Sequence, residues 1–174
     1  MKLKPLYIAL LLPVLFTVHF LEELLFGFPD WFQYLFNGDF NYNSFLIINI
    51  IALLIIDANA ILYLLKRGSN YLTAVIGTLM FINGTSHILA SFVTTSYSPG
   101  VATGIVLYIP LGLIIFKKLF PLITDIKRKY IVLTAVLIQI GAIVIALNVW
   151  ICHYRLGRES ILDINTYYCW LFLS

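Results

Sequence analysis

Five long apolar stretches, none holding a lysine or an arginine, decide what this chain can fold into. They run over roughly residues 5–27, 44–65, 70–95, 100–116 and 130–152, and each is long enough to cross a bilayer core of about 30 Å. Membrane β-strands would instead show short alternating segments of about ten residues, whereas the run from Ile47 to Leu65 is continuous. The expected fold is therefore all-α, a polytopic bundle of five transmembrane helices. Composition agrees. The chain is 61% hydrophobic and only 11% charged, against about 25% charged in a soluble domain, too little to cover a water-facing surface. A soluble enzyme, a disordered chain and a disulfide scaffold are excluded. The fourth stretch is the shortest, and Pro110 within it is expected to bend it, which neighbouring membrane helices tolerate.

Basic residues set the expected orientation. Lys2 and Lys4 precede the first span, Lys66 and Arg67 follow the second, and Lys117, Lys118, Lys127, Arg128 and Lys129 lie between the fourth and fifth. The opposite ends hold only Arg155 and Arg158. By the positive-inside rule the N-terminus is cytoplasmic and the C-terminus outside, with the plasma membrane the expected location. Bases confined to span ends give topology, not a nucleic-acid surface. The start resembles a signal peptide, but no small-x-small site follows, so a retained first helix is expected. The transmembrane domain is assigned to residues 1–152, and 153–174 to an interfacial tail. The aromatic stretch 28–43 (Trp31, Phe32, Tyr34, Phe36, Phe40, Tyr42) is expected along the outer interface, with a lid as the alternative. Cys152 and Cys169 fall on the outer side and form a disulfide pair only if that compartment is oxidising.

Ionisable groups within a membrane cost several kcal/mol each, face the bundle interior and point to function by default. Here they are His19, Glu22 and Glu23 in the first span, Asp57 in the second and His87 in the third, joined by Asn49, Asn59, Asn83, Gln139 and Asn148. At 1.5 Å per residue, His19 and His87 both lie about 12 Å below the outer helix ends, and the two glutamates about 6–8 Å. Asp57 is about 20 Å down. Residues distant in sequence thus converge on one layer, with Asp57, a proton-relay or a protonated core acid, apart from it. His19 and Glu23 stand four residues apart and so share a helix face, as do Asn83 and His87. Two histidines and a carboxylate suit a catalytic zinc with an open position, or non-haem iron. The expected metal ligands are His19, Glu23 and His87, with Glu22 as general base and Asn83, Tyr97 and Thr103 as orienting groups.

His19-Phe-Leu-Glu-Glu23 resembles the signature of the HXXEE-domain family of small multi-pass membrane proteins. Asn83-Gly-Thr-Ser-His87 resembles that family's N-x-x-x-H motif, and Tyr97-Ser-Pro-Gly-Val-Ala-Thr103 its Tyr-x-Pro-Gly-x-x-Thr stretch. The resemblance implies a membrane protein suspected of enzymatic activity and brings no substrate or cofactor.

The leading expectation is a metal-dependent intramembrane hydrolase acting on an amphiphilic, lipid-like substrate at an outer-leaflet site. One alternative is a metal-free acid–base isomerase of an isoprenoid or sterol-like lipid. Another is an ion- or proton-coupled carrier, for which five helices would need to assemble as a homo-oligomer. The last is a non-catalytic binding subunit.

Overall fold

The structure, a computed structural model, describes residues 4–36 and 40–156, with side chains left undescribed at 36 and 147–156. The expected tail 153–174, the pairing of Cys152 with Cys169, and the side chain of Asn148 therefore lie outside what it describes. Every regular element among the described residues is helical. In chain order the elements are α1 (Pro5–Leu25), α2 (Phe28–Phe36), α3 (Tyr42–Leu64), α4 (Asn70–Thr94) and α5 (Val101–Thr103), followed by a π-helical turn (Gly104–Tyr108). Then come α6 (Ile109–Lys118), a 3-10 turn (Phe120–Leu122) and α7 (Asp125–Leu156). Among the described residues, five segments are long and apolar enough to cross a membrane: Pro5–Leu25, Tyr42–Leu64, Asn70–Thr94, Val101–Leu122 and Asp125–Ala146.

Boundaries follow local chemistry. Pro5 begins α1, where a missing N–H costs nothing. Asn41 caps α3 by accepting from the Ser44 N–H at 2.8 Å, and Ser69 caps α4 through the Leu72 N–H. The last helix starts at Asp125, five residues ahead of the apolar run at 130. Arg128 holds that polar first turn, donating to the Phe120 carbonyl and pairing with Asp125 at 2.6 Å. Near Pro110 the fourth span shows a widened turn, in which the Ile109 N–H reaches back to the Gly104 carbonyl. Proline has no N–H for the carbonyl four residues back, so the regular ladder fails there, and a π turn lies just before it.

The central helix is α4. Half of its most apolar window is buried, against 33% or less in each of the others. It packs on α1, α3, the π turn, α6 and α7. The core joins Ile8 and Leu12 of α1, Ala74 and Met80 of α4, Leu111 and Ile115 of α6, and Ile131 of α7. In lipid, close packing between small residues, more than water exclusion, holds helices together, and α4 meets the π turn in this way. A Cβ on Gly84 would lie 2.9 Å from the Tyr108 Cβ and 3.2 Å from the Gly104 Cα. The two backbones touch. The outward faces carry exposed Leu54, Phe92, Val93, Val106 and Leu133, a surface fit for acyl chains.

A second cluster, built from Phe32, Phe40 and Phe45 with Phe28 and Trp31 against it, sits around α2. Within the stretch expected along the outer interface, Phe28–Phe36 forms a nine-residue helix tied back to the bundle. Its Trp31 indole donates to the Ser96 hydroxyl at 3.2 Å.

Candidate metal centre

Helix periodicity places His19 and Glu23 one turn apart near the C-terminal end of α1, and the parallel run of α4 brings His87, near its own C-terminal end, to the same level. Glu23 Oε1 stands 3.5 Å from His19 Nε2 and 3.1 Å from His87 Nε2. All three residues are buried, and one ligand atom from each lies within 4.8 Å of the others. Around a tetrahedral ion with legs of about 2.0–2.1 Å, neighbouring donor atoms stand about 3.3 Å apart. The two measured separations bracket that value.

The far nitrogens of both rings are held by hydroxyls, one from the connection between α4 and α5 and one from α5. His19 Nδ1 lies 2.7 Å from Thr103 Oγ1, and His87 Nδ1 lies 3.0 Å from Ser98 Oγ. The Thr103 hydroxyl donates to the Gly100 carbonyl at 3.3 Å, so it accepts the proton of His19 Nδ1. His19 Nε2 is then left with a bare lone pair facing Glu23. That nitrogen is buried with no hydrogen-bond partner, and a cation between it and the carboxylate satisfies both. This donor set fits a divalent metal: two imidazoles presented through Nε2, one carboxylate oxygen, and orienting bonds behind the rings.

Glu22 points elsewhere. Its Oε1 accepts from the Gly100 and Ala102 N–H groups at 3.1 Å each and from the Tyr97 hydroxyl, and its Oε2 accepts from the Thr103 N–H at 2.7 Å. A carboxylate on α1 thereby caps the first turn of the fourth span, from a sequence distance of about eighty residues. Gly100 completes the turn at φ +99°, and a Cβ there would meet His19 Cε1 at 2.8 Å and His87 Cε1 at 3.0 Å. Only glycine lets this backbone lie against both rings. Phe28 of α2 covers the other side, its ring 5.6 Å from that of His87 and nearly edge-on. Loss of hydration at the Tyr97 phenol, reinforced by the adjacent Glu22 carboxylate, pushes its pKa up to about 12.

The family described as proteins of unknown function with an HXXEE motif matches residues 10–115. The chain belongs to the HXXEE family. No match was found among curated proteins or among solved structures.

Of the residues picked from the HXXEE chain by sequence, His19, Glu23 and His87 meet at one point, while Glu22, Tyr97 and Thr103 form a hydrogen-bonded group beside it, joined to it through Thr103 and His19. Asn83 is on α4, one turn before His87, and its Oδ1 is buried without a partner. Asn49 bonds within its own helix, to the Phe45 carbonyl. Asp57 belongs to the far half of α3, beside Asn59, which accepts from Thr73 near the start of α4, and it has no hydrogen bond or ion pair among the described residues. Sequence reading missed Ser98 as a partner of His87 and Gly100 as the floor under both rings. Both sit inside the Tyr-x-Pro-Gly-x-x-Thr stretch, whose length was the available signal.

Proposed function

We propose that this HXXEE protein is an integral membrane metalloenzyme whose centre is His19, Glu23 and His87, and that it hydrolyses an ester or amide of an amphiphilic, lipid-like molecule. The observation that carries the reading is the convergence of two Nε2 atoms on Glu23 Oε1 at 3.5 and 3.1 Å, with each Nδ1 already engaged by a hydroxyl. Three protein ligands on a four-coordinate zinc leave one position for water or substrate; iron(II) suits the same donor types. A bound ion of this kind supplies Lewis acidity and lowers the pKa of water. Glu23 and the two imidazoles hold it, and Ser98 and Thr103 fix the rings. Glu22 was expected to move the proton, but four donors already engage its oxygens; we assign it the positioning of the 97–103 turn. The basic residues at alternate span ends support a cytoplasmic N-terminus, and with it a site in the outer half of the membrane.

A metal-free reading has one observation in its favour: Glu23 lies within proton-sharing distance of His87 Nε2. Elemental analysis of protein purified in detergent without chelator separates the two. The metalloenzyme reading expects one zinc or iron per chain, lost in His19→Ala, Glu23→Ala and His87→Ala. Metal-free protein that still converts a lipid ester would overturn it in favour of acid–base chemistry.

A further inference from the structure

Tyr108 is not part of any motif in this sequence, yet it is 1% exposed and its hydroxyl has no hydrogen-bond partner. A phenol buried in protein ordinarily finds one, because an unpaired buried polar group forfeits its hydration without compensation. Its ring lies on the His19 imidazole, with centroids 4.3 Å apart and planes 33° from parallel. So a buried phenol with an unpaired hydroxyl lies with its ring on one proposed ligand, whose own Nε2 also lacks a hydrogen-bond partner.

The backbone explains how it comes to be there. Thr103 and Tyr108 are five residues apart, which on a regular α-helix turns them about 140° away from each other. In the π turn Gly104–Tyr108 the hydrogen bond spans five residues, from the Ile109 N–H to the Gly104 carbonyl, so residues five apart stand one above the other. Both can then address a single side chain: Thr103 binds His19 Nδ1 and Tyr108 covers the face of the same ring. The contact of Gly84 with Gly104 gives the widened turn its place against α4. Such turns are uncommon and recur at functional sites.

We infer that the Tyr108 hydroxyl is a catalytic group of this centre, donating a hydrogen bond to an oxygen of the ligand held between His19, Glu23 and His87. The ligand class that fits is a carbonyl oxygen or oxyanion, which accepts from the phenol and fills the open coordination position. The inference rests on the metal reading above and deepens it.

The test uses the full chain in detergent with cobalt(II) as the spectroscopic metal and acetohydroxamate as the oxygen-donor probe. Wild-type protein should bind one cobalt per chain, and its visible spectrum should change on titration with the hydroxamate. Tyr108→Phe keeps the ring on His19, so cobalt content should be unchanged and hydroxamate affinity about tenfold weaker, equivalent to about 1.4 kcal/mol. In parallel, 3-fluorotyrosine introduced at Tyr108 preserves the fold and makes the hydroxyl a stronger donor, so the probe should bind more tightly. That arm decides the matter if the phenylalanine variant does not fold. Full cobalt content with no hydroxamate response in the wild type, or with equal affinity across the variants, overturns the role of Tyr108 and leaves the metal site standing. Failure of the wild type to take up cobalt overturns both.

Discussion

Replacing Glu22 with glutamine separates a clamp from a general base. The carboxylate receives three N–H groups and a phenol on two oxygens. Glutamine keeps one oxygen and puts an NH2 where the other was. With the carbonyl left at the three-donor position, the Thr103 N–H faces another donor and loses its partner, costing about 1–3 kcal/mol. The three remaining bonds fall from charge-assisted to neutral strength, a loss of about 1 kcal/mol each before relaxation. Together about 4–6 kcal/mol before relaxation is expected, a large part of ordinary folding stability. For a chain of this size the melting temperature should fall on the order of 10 °C. Because Thr103 and Gly100 stand behind His19 and His87, metal affinity should fall as well. Thermal unfolding in detergent, followed through Trp31 beside Ser96, and competitive metal titration measure the two effects. An Glu22→Gln protein that melts with the wild type, binds metal equally well and has lost only its turnover would refute the clamp and restore the general base.

Thr103→Val and Ser98→Ala each remove the hydroxyl behind one imidazole; metal affinity should drop about 10–100-fold in a chelator competition, with the helical circular dichroism unchanged. Tyr97 contributes a pH dependence of its own. Its folded pKa is raised from 10.0 to about 12, so the protonated phenol favours the folded state. That contribution is complete below pH 10.0 and disappears as pH rises through about 12. Unfolding measured across this window should show a steeper alkaline loss for wild type than for Tyr97→Phe, and matching slopes would count against the Glu22 contact.

The helical frame was legible because spanning lipid demands apolar length, a requirement visible residue by residue. The layer of His19, Glu23 and His87 was legible for a related reason: once spans alternate in direction, depth follows from counting. The division of labour between the adjacent glutamates was only half visible. Their side chains diverge by about 100°, which says that they face different neighbours but not which ones. Glu23 meets imidazoles, and Glu22 meets backbone N–H groups that no side-chain pattern records. Tyr108 was hidden for a stronger reason. Regular helical spacing turns it away from Thr103, and Pro110, read as a bend, was the single mark of the register change. Similarly, the rings of residues 28–43 announced an interfacial segment, while the contact of Phe28 with His87 depends on how a short helix folds back.

The clamp formed by Glu22 also bears on the order in which the chain assembles. The first helix enters the bilayer carrying an imidazole and two carboxylates, and their partners lie between His87 and Thr103. Until the third and fourth spans have been inserted, those groups have only water, headgroups or the translocation machinery to bind. Assembly of the bundle is therefore committed late: α1 is synthesised before the segments against which its polar groups settle.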